Sequence, residues 1–253
     1  LQTDHITRKP LKVIHFGNIN GKNTTHLSRR QTVADNLQKS PEDVTDEDIA
    51  SYRREVRRRL GFADADFVFV FVGRIVADKG ITELAQAMRT ISSRHPNARL
   101  LLVGTMEKGD AIADDVHDYL LNSQNVKYVG SQTDVRPFLM AADALVFPSY
   151  REGFPNVPME AGAMNLPCIV TDINGSNEII RDGLNGKIIV APLDAHGHHV
   201  ADITPALTET MEWFILHPAE VQRMSRNARR MIQERYEQKD VWNGILEYYR
   251  SLE

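Results

Sequence analysis

Two cationic side chains, Arg74 and Lys79, lie in the segment GRIVADKG, which follows an apolar run and precedes a segment of helical periodicity. A guanidinium and an ammonium beside the N-terminus of a helix suit a diphosphate, because their charges and the free N–H groups of the first turn attract anions. Two solvated surface cations would give the same pattern. The segment therefore predicts a diphosphate site that needs support from elsewhere in the chain.

Two carboxylates, Glu152 and Glu160, lie in the segment SYREGFPNVPMEA, which follows the apolar run ALVFP. Gly153 lets a ligand approach the backbone, and Asn156 is predicted to cap a helix that begins there. We expect Glu152 just before this helix and Glu160 in its first turn, so that both carboxylates face one cleft. One can accept hydrogen bonds from a sugar and the other from a ribose diol. The helix dipole would favour Glu160 without any ligand, but it explains Glu152 poorly.

Short apolar runs alternate with segments of helical periodicity along most of the chain. The runs predict strands buried on both faces, and their alternation with helices predicts parallel pairing through right-handed crossovers. The expected fold class is α/β, a doubly wound parallel sheet of the Rossmann-like type with terminal helices. The predicted strands are 11–17, 67–73, 98–104, 126–130, 144–149, 167–172 and 186–192, and the predicted helices between them are 81–95, 111–123, 135–143, 157–165 and 176–182.

Ligands of an open parallel sheet bind beyond the carboxyl ends of its strands. Both charged segments follow predicted strands, so this fold would bring their loops to one edge. The acidic triplet Asp64-Ala65-Asp66 precedes its strand and would lie at the opposite edge, and the nine histidines lack a zinc-binding spacing. We therefore expect no metal site. Cys168 is predicted to be a small buried core residue.

Residues 1–253 are interpreted as a single domain, in which 28–61 is a polar helical connection and 193–253 forms terminal helices. The letters Ser40-Pro41-Glu42-Asp43 predict a helix start, and 53–59 is a basic helical stretch. A helix that binds nucleic acid could have this composition. The acidic residues around the stretch favour a solvated, self-paired face instead.

The composition restricts the class of protein. A net charge of -4 and a pI of about 6.2 give no overall attraction to nucleic acid or to an anionic membrane. No apolar run reaches the roughly 18 residues that a transmembrane helix needs. A single cysteine fits a reducing compartment, so we expect a cytoplasmic location, with the inner face of a membrane left open for a longer protein.

The motifs, taken together and in order, resemble one enzyme family. They are similar to family 4 of the retaining GT-B glycosyltransferases. Five segments carry the similarity: GRIVADKG, the glycine turn VGT, YVGSQTDVRPFLMAADALVFPS, EGFPNVPMEA with seven residues between its two glutamates, and IVTDINGSNEIIRDGLNGKIIV. The resemblance covers about residues 62–192 and points to the carboxy-terminal, nucleotide-sugar-binding domain. The segment HFGNINGKNT (15–24) is similar to the strand and glycine-rich turn that open that domain.

The resemblance implies roles for individual residues. Arg74 and Lys79 would hold the diphosphate, Glu160 the ribose hydroxyls and Glu152 the donor sugar. Arg74, Lys79 and Glu152 would serve catalysis, in which stabilising the leaving group is the main electrostatic task. The remaining donor contacts would be Gly73 in the cationic loop, the backbone of Gly153, Phe154, Pro155 and Asn156 near the sugar and distal phosphate, and Thr105, Val129 and Gly130 bordering the base.

The resemblance also implies the partners. The donor would be a nucleoside-diphosphate sugar, with uridine diphosphate favoured over guanosine diphosphate, and no cofactor or metal is expected. The acceptor would be a saccharide or a lipid-linked molecule, as in surface polysaccharide assembly. The family holds its acceptor in an amino-terminal domain that nothing before residue 1 supplies here, so we expect this chain alone to be inactive.

Two alternatives to a transferase stay open. A nucleotide-sugar epimerase of the GT-B type would need an acid/base pair in the cleft, for which His15 or His26 could serve. A nucleotide-sugar-binding module without activity of its own would share the binding residues.

Overall fold

A computed structural model describes residues 21–107, 112–191 and 202–251. Six strands form one parallel sheet in the order β3-β2-β1-β4-β5-β6. The strands are β1 (Phe67–Val72), β2 (Ala98–Val103), β3 (Val126–Tyr128), β4 (Ala144–Phe147), β5 (Cys168–Thr171) and β6 (Gly186–Ile189). The predicted doubly wound α/β fold is confirmed. The predicted strand 11–17 lies outside the described residues.

The sheet is buried because helices cover both of its faces. Strand β1, with the sequence FVFVFV, is buried along five of its six residues, and all of β4 and β5 is buried. Continuous apolar runs of this kind are typical of central parallel strands, since neither face meets water. Cys168 opens β5 in this core as predicted, and burial raises the pKa of its thiol.

Ten α-helices occur in the described part of the chain. They are α1 (Arg29–Leu37), α2 (Asp46–Leu60), α3 (Ile81–Arg94), α4 (Asp114–Asn122), α5 (Arg136–Ala141), α6 (Asn156–Ala163), α7 (Ser176–Ile179), α8 (Thr204–Leu216), α9 (Pro218–Tyr236) and α10 (Gln238–Arg250). Short 3-10 turns cover Pro41–Asp43 and Ala77–Lys79. Among the described residues, no helix is long and apolar enough to cross a membrane.

The helix start expected at Ser40 is wrong. Ser40 precedes only the 3-10 turn, and helix α2 begins at Asp46. Thr45 caps it in a capping box with Asp48, in which each side chain bonds the backbone N–H of the other residue. The reciprocal box satisfies two backbone N–H groups at the start of α2, whereas the side chain of Ser40 makes no cap hydrogen bond.

The basic face of α2 is only partly solvated, which corrects a second expectation. Arg54 and Arg59 pair with acidic residues of their own helix, as predicted. Arg53 and Arg57, however, point into the protein and share the two carboxylate oxygens of Asp143 at 2.7 and 2.6 Å. Arg57 is 2% exposed and also donates to four backbone carbonyls. A buried guanidinium needs such partners, so this stretch anchors α2 to the amino end of β4.

Candidate functional site

The loops after β1, β2 and β3 extend the parallel ladder beyond the strands. The N–H of Gly73 donates to Val103 and the N–H of Gly104 to Gly130, both at 2.9 Å. A side chain at Gly104 would overlap the carbonyl of Gly73, so the backbones touch directly. Three neighbouring loops at the carboxyl edge thus contain these predicted residues: Gly73, Thr105, Val129 and Gly130.

Two predicted residues meet at this edge. The Lys79 ammonium, after β1, lies 2.6 Å from Glu152 Oε1, after β4, across 73 residues of sequence. The side chains are only 12% and 15% exposed. Lys79 Nζ also donates to Ser149 Oγ and to the Arg151 carbonyl, both at 3.3 Å. A cation and a carboxylate from separate loops therefore form one half-buried centre.

The loop that carries Glu152 is held from several sides. Ser149 is fully buried, and its carbonyl accepts a hydrogen bond from the Thr171 hydroxyl in β5. Tyr150 donates to Glu83 Oε1 of α3 at 2.6 Å, and burial together with this carboxylate raises the pKa of Tyr150. The loop after β5 presses Gly175 (φ +81°) so closely on Gly153 that a side chain there would overlap the Gly153 carbonyl. These contacts hold the loop in one conformation.

The start of α6 differs in detail from the sequence prediction. Asn156 is the first helical residue and not the cap, and Pro155 before it makes no side-chain cap hydrogen bond. Glu160 lies beyond the first turn, which contains no acidic residue. A favourable dipole contact in that turn therefore does not explain Glu160. The helix does begin at the carboxyl edge, with its positive end beside Gly153, Phe154 and Pro155 as expected.

Glu160 pairs with a residue that the sequence analysis missed. The Lys22 ammonium lies 2.7 Å from Glu160 Oε1, and the two side chains are 12% and 24% exposed. The backbone of Lys22 is fixed where α9 meets α10, because its N–H donates to Tyr236 and its carbonyl accepts from the N–H of Gln238. The only sequence signal was that Lys22 lies within HFGNINGKNT, a segment noted for its resemblance but given no side-chain role.

Arg74 is brought to the same edge, in a different environment. It pairs with Glu107, in the loop after β2, at 3.0 Å, and both side chains are well exposed at 55% and 41%. The structure does not join Arg74 to the centre formed by Lys79 and Glu152. We call Lys79–Glu152, Lys22–Glu160 and Arg74–Glu107 the three edge pairs.

The other candidates lie elsewhere. Asp66 accepts from the Ala63 N–H and pairs with Arg99 at the amino edge, as its position before β1 predicts. His26 is exposed, with its ring nitrogen Nδ1 3.5 Å from Arg136, and His15 lies outside the described residues. In the described ranges, no group of three or more His, Cys, Asp or Glu side chains could hold a metal ion.

A cavity of about 530 Å³ opens at the opposite edge of the sheet, lined among others by Arg29, Arg53, Phe67 and Asp143. Its arginines are already engaged by backbone carbonyls and by Asp143. Because ligands of open parallel sheets bind at the carboxyl edge, we assign the candidate site to the edge pairs and not to this cavity.

Comparisons with known proteins identify the family of the chain. Residues 66–208 match the family model described as glycosyl transferases group 1. The capsular polysaccharide biosynthesis glycosyltransferase CapM of Staphylococcus aureus is 30% identical over 187 residues, which are 74% of this chain and 47% of CapM. The chain spans less than half the length of the curated relatives that it matches first.

Solved structures share the fold. Anabaena HepE in complex with UDP-glucose superposes with a TM-score of 0.69 at 20% identity, over 91% of this chain and 56% of HepE. The C-terminal domain of the group 1 glycosyl transferase LpcC from Francisella tularensis superposes with a TM-score of 0.61 at 18% identity, over 73% of this chain and 93% of that domain. Because the family match covers more than half of its residues, this chain belongs to the family of glycosyl transferases group 1.

Proposed function

We propose that this chain binds the donor for a retaining glycosyltransferase, which moves a sugar from a nucleoside-diphosphate sugar to a saccharide or lipid-linked acceptor in surface polysaccharide assembly. Uridine diphosphate is the favoured carrier. CapM, named for capsular polysaccharide biosynthesis, and HepE, solved with UDP-glucose, support this pathway and this donor. The chain covers 93% of the C-terminal domain of LpcC but only 47% of CapM. This difference supports a donor-binding half that transfers no sugar by itself.

The pair Lys79–Glu152 is the observation that carries the proposal. Two loops contribute opposite charges at the carboxyl ends of the central strands β1 and β4, at 2.6 Å and largely shielded from water. A cation suits the distal phosphate, and a carboxylate suits the hydroxyls of the sugar attached to it. Neighbouring groups of these two kinds suit a ligand in which a phosphate and a sugar are joined.

The same charges suit the chemistry of transfer. The bond between the anomeric carbon and the distal phosphate oxygen breaks, the acceptor oxygen bonds that carbon, and the acceptor proton passes to the leaving phosphate. Negative charge grows on the diphosphate, so Lys79 and Arg74 would stabilise the transition state more than the ground state. In this proposal, the two cations and the N-terminus of α6 do the work that a metal ion does in other transferases.

Titration calorimetry on two proteins and two nucleotides tests the proposal. The unmutated chain should bind uridine diphosphate more tightly than uridine monophosphate. The double variant Arg74→Ala/Lys79→Ala should reduce the ratio of the diphosphate and monophosphate affinities at least about tenfold, which is the effect of one charge-assisted hydrogen bond. A matched control is Arg89→Ala/Arg94→Ala, which removes two cations from the exposed side of α3, where they pair with Asp115 and Glu212.

The control variant should leave the ratio of the affinities for the two nucleotides unchanged. If Arg74→Ala/Lys79→Ala also leaves it unchanged, the cationic loop does not bind the diphosphate. Guanosine di- and monophosphate run in parallel identify the base. Turnover of a nucleotide sugar without an acceptor would favour an epimerase, and sugar transfer by this chain alone would contradict the donor-half assignment.

A further inference from the structure

The pair Lys22–Glu160 joins two parts of the chain that lie 138 residues apart in sequence. One ammonium proton is directed at Oε1 of Glu160. Within the residues that the structure describes, no hydrogen bond engages the second oxygen, Oε2. A glutamate side chain has several rotamers, and fixing one oxygen selects the direction in which the other accepts hydrogen bonds.

Asp143 is a carboxylate that joins α2 to the amino end of β4 and offers a comparison with Glu160. Arg53 binds its Oδ1, while Arg57 and the N–H of Val68 bind its Oδ2. Both oxygens of Asp143 therefore accept hydrogen bonds. Glu160 is about as buried as Asp143 but uses one oxygen only. The second oxygen has capacity left for an incoming hydroxyl group.

Lys22 is held in place by its backbone before it reaches Glu160. Gly21 packs so tightly on Gln238 that a side chain there would overlap the helix backbone, and Thr24 donates to Glu237. The guanidinium of Arg229 adds a hydrogen bond to the Thr24 carbonyl at 2.9 Å. The segment 21–24 is therefore attached to the junction of α9 and α10, and ordering Lys22 costs little further entropy when a ligand binds.

We propose that Lys22 is a positioning residue of the ribose subsite: it orients Glu160 so that Oε2 accepts hydrogen bonds from the ribose diol, and it neutralises the carboxylate beside an anionic diphosphate. This inference rests on the proposed function, since it takes Glu160 as the ribose ligand. It adds a residue from the start of the described chain to a site otherwise formed by loops of the sheet. It also links that site to the junction of α9 and α10.

The two effects of Lys22 differ in the ligands on which they act. Orientation matters only for a nucleotide that has ribose hydroxyls. Neutralisation and general stabilisation act on every nucleoside diphosphate alike. The ratio of the affinities for uridine diphosphate and for 2′,3′-dideoxyuridine diphosphate therefore reports orientation alone, and the absolute affinity reports the other effects.

The experiment measures both affinities by calorimetry for the unmutated chain and for Lys22→Met, Lys22→Arg, Glu160→Gln and the double variant Lys22→Met/Glu160→Gln. We expect Lys22→Met to reduce the ratio by about tenfold, the scale of one charge-assisted hydrogen bond, and Lys22→Arg to restore most of it. Lys22→Met should have no further effect on the ratio once Glu160 is Gln. The thermal midpoint of each variant shows whether it is folded, and Lys22→Gln replaces Lys22→Met if that variant does not fold.

The outcomes separate the two proposals. If Glu160→Gln lowers the ratio but neither Lys22→Met nor Lys22→Gln does, the positioning role is wrong and the ribose assignment stands. A loss from Lys22→Met that is equal for both nucleotides also overturns positioning, because it shows a general effect. If the unmutated chain binds neither nucleotide, or if Glu160→Gln leaves the ratio unchanged, the assignment of the site itself fails.

Discussion

Replacing Glu152 by Gln should tighten the binding of the free nucleoside diphosphate, although Glu152 is itself a site residue. Its carboxylate lies 2.6 Å from Lys79, so it would compete with the diphosphate for the ammonium. A glutamine keeps the shape and can still accept a hydrogen bond. It loses the charge that makes the contact strong.

The size of the effect follows from the class of contact that is exchanged. A hydrogen bond to a charged group contributes about 1.5–3 kcal/mol and a neutral one about 0.5–1.5 kcal/mol, so the competition weakens by roughly 1 kcal/mol. This corresponds to about fivefold tighter binding of uridine diphosphate. Because both side chains are less than one sixth exposed, solvent screens the pair only in part. Removing the carboxylate charge also removes its repulsion of the phosphates, which tightens the binding further.

The assay is a calorimetric titration of the unmutated chain and Glu152→Gln with uridine diphosphate and with a uridine-diphosphate sugar. The free diphosphate should gain affinity, and the nucleotide sugar should gain less or lose affinity, because the sugar hydroxyls lose a charged acceptor. Glu107→Gln is the matched control, since it releases Arg74 from an exposed pair and should change either affinity less than about twofold. Weaker binding of the free diphosphate to Glu152→Gln would refute the competition between carboxylate and phosphate.

Three further predictions concern the parts that support the site. Gly80→Ala should lower the free energy of unfolding in urea by about 1–3 kcal/mol more than Gly61→Ala, because both glycines have positive φ but, of the two, only a side chain at residue 80 meets backbone, that of Pro148 after β4. Equal losses would contradict this. Asp143→Ala should cost about 3–5 kcal/mol in the same assay, since it leaves a buried guanidinium without its counter-charge, and a loss below about 1 kcal/mol would show that the pairing adds little. Burial raises the pKa of Asp134, but hydrogen bonds from Arg136 and its charge outweigh burial and hold that pKa below 3.8. The stability that Asp134 contributes is therefore complete above pH 3.8 and is lost as the pH falls through the lower pKa of the folded state. The loss of unfolding free energy caused by Asp134→Asn should be constant near neutral pH and should shrink below about pH 4.

The sheet and the loops around Lys79 and Glu152 could be predicted because their signals are local. Apolar runs such as FVFVFV identify buried strands, and the rule that ligands bind beyond the carboxyl ends of strands selects the loops that follow them. The contact between Lys79 and Glu152 needed one more step. Their strands, β1 and β4, are neighbours in the sheet although two strands separate them in sequence. The motif resemblance implied only that Lys79 and Glu152 contact one donor, and the strand order came from the structure.

Contacts that depend on distant packing could not be predicted. Lys22 reaches Glu160 only because α9 and α10 meet beside the start of the described chain, and nothing in the letters around Lys22 indicates that junction. The burial of Arg57 was missed for a related reason. The acidic residues around the basic stretch 53–59 suggested a solvated face, whereas the carboxylate partner of Arg57, Asp143, comes 86 residues later.

The balance of charge among the three edge pairs has a consequence for the kinetics of encounter. Each cation of the three edge pairs is matched by a carboxylate within 3.0 Å, so these pairs present little net positive field to an approaching polyanion. Long-range attraction, which can accelerate association by factors of about 10–1,000, is then small, and the arrival rate should depend little on ionic strength. A ligand must instead exchange partners with groups already paired. This exchange favours a donor that binds both the cation and the carboxylate of a pair. Inorganic polyphosphates can replace the carboxylate only and gain little affinity.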